Sequence, residues 1–111
     1  MIRVSFDRGE NEALFRINGH AGHAEPGKPD IVCAAASMLA FTLIGMTERI
    51  FGEGKACSES RPGSVEVRFP PDGDDGRAAL AAAEVVEEGF RLLAEAYPEC
   101  VCFAESETYA Q

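Results

Sequence analysis

The chain has 111 residues, enough for one hydrophobic core and too few for a second. With 46% apolar and 26% charged residues its composition is that of an ordinary globular domain. A formal net charge of −9 argues against nucleic acid or an anionic membrane as direct partner, because both require clustered Lys and Arg.

Residues 1–7 alternate Ile2, Val4 and Phe6 with Arg3, Ser5 and Asp7, the period of a half-buried strand. Such a start has no apolar h-region, so no signal peptide is expected. A turn at 8–11 leads into 13–18, where Ala13, Phe15 and Ile17 share one face, and the two strands make a hairpin. Residues 19–30 carry Gly19, Gly22 and Gly27 with Pro26 and Pro29 and show no apolar periodicity, which predicts a mobile loop.

Asp30 suits the N-cap of a helix over 31–51, apolar on nearly every side until Glu48 and Arg49 and therefore expected to be central and buried. Its uncharged run, 31–47, is rich in Ala, Ser and Thr and falls short of the roughly 20 residues of a membrane span. Residues 55–60 and 64–69 read as a second hairpin around Arg61-Pro62-Gly63, with Val65, Val67 and Phe69 inward. After a polar turn at 70–76, residues 77–97 form an amphipathic helix with Leu80, Ala83, Val86, Phe90, Leu93 and Tyr97 on its inner stripe. Pro98 stops it, and 100–107 is the closing strand. The order ββαββαβ predicts one α+β domain over 1–111: a two-layer sandwich with a mostly antiparallel sheet and both helices on one face.

Four cysteines (Cys33, Cys57, Cys100, Cys102) without a CxxC pair suggest a reduced, cytoplasmic protein. Cys33 lies in the first turn of the apolar helix, where unpaired amides and the helix dipole favour a thiolate. Those amides are also candidate donors to the oxyanion of an attacked carbonyl. His20, at the end of the second strand, is anchored as a general base must be, and His23 sits less firmly inside the glycine-rich loop. Asp30 either caps the helix or orients the His20 imidazole as the third member of a triad. Ser37, one helical turn after Cys33, is placed to hydrogen-bond thiolate or substrate, or only its own helix. His20, His23 and Cys33 also offer three metal ligands, but their spacing matches no closed zinc pattern, and neither metal nor cofactor is expected.

Gly19-His20-Ala21, a glycine-containing loop, then Asp30-Ile31-Val32-Cys33-Ala34-Ala35 and Ser37 resembles the signature of the ribosomal-processing cysteine proteases, the Prp family. The resemblance extends over essentially the whole chain. It implies a cytoplasmic homodimer that removes the N-terminal extension of large-ribosomal-subunit protein twenty-seven, cutting after an apolar segment with an aromatic end. By position, Cys33 matches the family nucleophile and His20 its base, with Asp30 and Ser37 in supporting roles. No family role passes to His23. Gly22, His23 and Gly27 are read as the substrate loop, which is one residue longer than the common family form and stiffened by its two prolines. A ribosome-associated binding module of the same fold without catalysis is the alternative, and a small metal-binding protein a third.

Overall fold

The computed structural model describes residues 1–104. Its elements in chain order are β1 (Ile2–Arg8), β2 (Ala13–Asn18), α1 (Ile31–Phe51), β3 (Cys57–Arg61), β4 (Ser64–Phe69), α2 (Gly73–Ala96) and β5 (Val101–Phe103). The sheet order is β3-β4-β2-β1-β5, antiparallel throughout except for the parallel pair β1–β5. The mainly antiparallel α+β sandwich expected from the sequence is therefore the fold.

Period-two alternation builds one face of the sheet. Val4 pairs with Ile17 and Phe6 with Phe15 across β1–β2, and Phe15 with Val67 across β2–β4. All are buried, as are Ile2, Ala13, Phe69 and Val101. Phe15 is the hub: its ring lies 5.1 Å from that of Phe6 and 6.1 Å from that of Phe90 on α2, so it joins sheet to helix. The helices lie side by side on this face, α1 toward β4 and α2 toward β5. Arg8 on β1 pairs with Glu87 on α2 at 2.8 Å, and Arg91 stacks 5.2 Å over the Phe103 ring. A Cβ on Gly89 would come within 2.6 Å of Leu39, which shows how closely the two helices approach.

Three sequence expectations change, besides the bounds of β3, which starts at Cys57 and takes in Arg61 of the expected turn. First, α1 is not buried all round. Val32, Ala36, Ala40, Leu43 and Thr47 form its single buried face, while Ile31, Met38, Phe41 and Met46 are exposed. The helix is in fact long and apolar enough to cross a membrane by length and composition alone, with 21 residues and a mean hydropathy of 1.7. Here one face of it closes the core of the two-layer fold.

Second, α2 begins at Gly73 rather than at residue 77. Glycines at 73 and 76 and three nearby aspartates hide this turn from a propensity reading. Asp74 and Asp75 suit the positive end of the helix dipole, and Gly76 is required because a Cβ there would meet the Pro71 backbone at 2.3 Å. Third, β5 is Val101–Phe103, shorter at its start than expected because Cys100 turns back onto the Tyr97 carbonyl. Residues 105–107 of the expected strand lie outside the described residues.

Phe15→Ala removes the ring that joins the layers and should cost about 3–5 kcal/mol in urea denaturation. Leu14→Ala, on the half-exposed opposite face, should cost well under half as much.

Candidate active site

The loop between β2 and α1 is held by one carboxylate. Asp30 occupies the N-cap in extended conformation, and its Oδ1 accepts from the Val32 and Cys33 amides, both at 3.0 Å. Its Oδ2 accepts from the amides of His23 at 2.9 Å and Ala24 at 3.2 Å. One oxygen thus fixes the helix start and the other folds the loop back onto it. The Cys33 amide contributes most to holding the Asp30 carboxyl below its usual range, against a partial desolvation, and the Ala24, His23 and Val32 amides add to it. Of the two jobs the sequence allowed Asp30, the structure places it as a cap, with a second set of bonds to the loop that no spacing rule foretold.

This capping engages two of the first-turn amides expected as oxyanion donors. The Val32 and Cys33 amides are engaged by the Asp30 side chain, and that of Ala34 donates to the Asp30 carbonyl at 3.0 Å. The main-chain donor aimed at the sulfur comes instead from the loop: the Ala21 amide donates to Cys33 Sγ at 3.3 Å. Ala21 is itself buried, which anchors this donor.

Cys33 and His20 line the same cleft, of about 370 Å³. Its floor is Ile2, Ile17 and Val65; α1 contributes Cys33, Ser37 and Phe41 to one wall and the β3–β4 turn the other. His20 extends past the end of β2 and is exposed. The Gly19 amide donates to the Gly63 carbonyl at 2.8 Å, tying that strand end to the turn. Gly63 has φ +75°, and a Cβ there would lie 2.7 Å from His20 Nε2. The turn thus presents bare backbone to the imidazole. A sequence reading sees Pro62-Gly63 as turn chemistry only; its contact with His20 depends on the pairing of β2 with β4.

The structure therefore gathers His20, Cys33 and Ser37 at one cleft and sets Asp30 behind it as the clip. Gly22 and Gly27 hold positive φ, 65° and 83°, with open space around them. His23 turns to the other side, its ring 5.1 Å from that of Tyr97 in an edge-on arrangement. It does not join His20 and Cys33 as a ligand set, and its potential ligand partners are Glu99 and Cys100. Burial pushes the Cys100 thiol up, and the charges of Glu99 and Asp30 add to the effect. A more open depression of about 920 Å³ lies at the far end of the sheet between Glu12, Phe51, Arg68 and the start of α2. It holds no histidine, so the smaller cleft is the chemical one.

The sequence matches the family model described as cysteine protease Prp over residues 1–102. No curated protein matches it by sequence. The fold is similar to that of the essential ribosomal processing protease Prp from S. aureus in complex with a covalently linked product peptide, with a TM-score of 0.66, 23% identity, and coverage of 96% of this chain and 100% of that one. The same protease in complex with a substrate peptide gives 0.64 and 24%, with coverage of 96% and 100%. SMU.848 from Streptococcus mutans gives 0.62 and 27%, covering 93% of this chain and 91% of that one.

Two measurements probe this geometry. Gly63→Ala should shift the imidazole resonances of His20 and leave those of His23 in place, as read by NMR. Asp30 has a depressed folded-state pKa, so its contribution to stability is complete above the ordinary carboxylate value of 3.8 and is lost as pH falls through the lower folded value. The His23 and Ala24 amide resonances should therefore hold steady down to that value and move together below it. Asp30→Asn, which keeps one acceptor oxygen, should move them at neutral pH.

Proposed function

The chain belongs to the cysteine protease Prp family, whose S. aureus relative is a ribosomal processing protease, and from that premise we propose that Cys33 is its nucleophile and His20 its general base. The observation that carries this reading is the Ala21 amide donating to Cys33 Sγ at 3.3 Å, in a cleft that His20 also lines.

In this mechanism His20 takes the thiol proton and the Cys33 thiolate attacks the scissile carbonyl. The carbonyl oxygen becomes an oxyanion, and the Ala21 amide, released from sulfur as the new C–S bond forms, is the main-chain donor assigned to it in this reading. The imidazolium protonates the leaving amine as the C–N bond breaks. Water then hydrolyses the thioester, restoring the thiol and releasing the second peptide. Ser37, exposed on the same wall, is a positioning donor to substrate. Gly22 and Gly27 allow the 21–29 loop to settle over a bound peptide, while Pro26 and Pro29 limit its other shapes.

The substrate in this reading is the N-terminal extension of large-ribosomal-subunit protein twenty-seven. The apolar floor of Ile2, Ile17 and Val65, with Phe41 beside it, suits an apolar segment with an aromatic end. The S. aureus protease was solved with a covalently linked product peptide and with a substrate peptide, which supports a peptide as occupant and a covalent intermediate as route. The reading also includes a cytoplasmic homodimer. The uncovered apolar face of α1 supports it, since Met38 is 67% and Ile31 61% exposed and water is a poor neighbour for both.

Incubated with the precursor of protein twenty-seven from the same organism, the enzyme should release the extension as an N-terminal peptide detectable by mass spectrometry. Cys33→Ala should release none, and turnover by that variant would overturn the assignment. His20→Ala should lower the rate by about 10²–10⁴-fold. Met38→Asp should convert a dimer into a monomer in sedimentation velocity.

A further inference from the structure

We propose that His23, Glu99 and Cys100 form a binding site for a divalent zinc-class metal ion that clamps the β2–α1 loop to the turn between α2 and β5. Each residue offers one ligand atom, and the three atoms lie within 4.8 Å of one another. Around zinc, with metal–ligand distances of about 2.0–2.3 Å, tetrahedral ligand atoms sit roughly 3.3–3.8 Å apart. The gap is about an ångström, to be closed by two side chains at exposed positions, and the Cys100 thiol already donates to Glu99 Oε1 at 3.9 Å.

The donor set has a definite chemical preference. Sulfur, imidazole nitrogen and carboxylate oxygen together suit Zn²⁺, whereas Mg²⁺ and Ca²⁺ favour oxygen throughout. The frame that carries the ligands is already built. The Tyr97 carbonyl accepts from the Cys100 amide at 2.9 Å and the Val101 amide at 3.1 Å, fixing the turn that presents Glu99 and Cys100. Opposite, the Tyr97 ring meets the His23 imidazole edge-on, and the His23 backbone is held by Asp30. Cys100 is 2% exposed and Cys33 lies on the other side of Asp30's clip, so the metal thiolate and the proposed nucleophile are separate sulfurs. Three protein ligands leave a fourth position for water.

On binding, Cys100 loses its thiol proton to solvent and the thiolate coordinates the metal. Nothing is oxidised or reduced. The clamp joins residues 76 positions apart in sequence, so it restrains the loop whose Ala21 amide faces Cys33. The metal site itself does not depend on the proteolytic assignment.

The test is titration of chelator-treated, reduced full-length protein with Co²⁺ and then competition with Zn²⁺. A thiolate-to-cobalt absorption band saturating at one equivalent and displaced by Zn²⁺ is expected, together with a rise in Tm on adding Zn²⁺. Cys100→Ser should abolish the band, and Cys33→Ala should leave it intact. His23→Ala and Glu99→Gln, both at exposed positions and safe for folding, should each weaken Zn²⁺ binding by more than the roughly tenfold that even an outer partner costs. If Cys100→Ser does not fold, these two variants decide. Absence of the band, a band that disappears with Cys33→Ala, or Zn²⁺ affinity unchanged in both exposed variants would overturn the site.

Discussion

Four backbone amides converge on one carboxylate, and the rest of the site depends on that convergence. Asp30 Oδ1 serves the helix start and Oδ2 the loop, so the same side chain sets where Cys33 begins its turn and how residues 23 and 24 fold back. Without it the first-turn amides would be unpaired and the loop would lose its inner anchor. The Val32 and Cys33 amides are taken up by the carboxylate, and the main-chain donor facing the sulfur comes from Ala21.

The second dependence is the division of α1 into faces. One face seals the sheet through Val32, Ala36, Ala40 and Leu43. A second, carrying Cys33 and Ser37, borders the cleft, and a third leaves Met38 and Ile31 in water. A helix buried all round would have put the thiol out of reach of any peptide. The apolar surplus that suggests full burial is spread over three surfaces.

Much of this was legible in the chain. Strand alternation in residues 1–18 predicts the hairpin and its inward face, because period two leaves only one way to bury Ile2, Val4, Phe6, Ala13, Phe15 and Ile17 together. The Asp30 cap and the helix end at Phe51 follow from local chemistry, as does the stop at Pro98 beyond α2. The early start of α2 was not legible. Its glycines and aspartates are poor helix formers in isolation, and it forms where Gly76 can pack on the Pro71 backbone. The contact of Gly63 with His20 was hidden for a similar reason, since 43 residues separate them and only the β2–β4 register brings them together.

By itself the sequence determined the element order, the inward faces, the cap, and the two residue types a cysteine hydrolase requires. Each of these rests on interactions within a few residues: alternation, capping, turn chemistry, and a signature confined to residues 19–37. The tertiary structure decided which groups share a space. It placed His20 beside the bare backbone of Gly63 and aimed the Ala21 amide at Cys33. It also turned His23 away from both, toward Tyr97, Glu99 and Cys100. The physical reason is that sheet register and helix packing act across tens of residues, and no local propensity encodes which distant side chain they bring into contact.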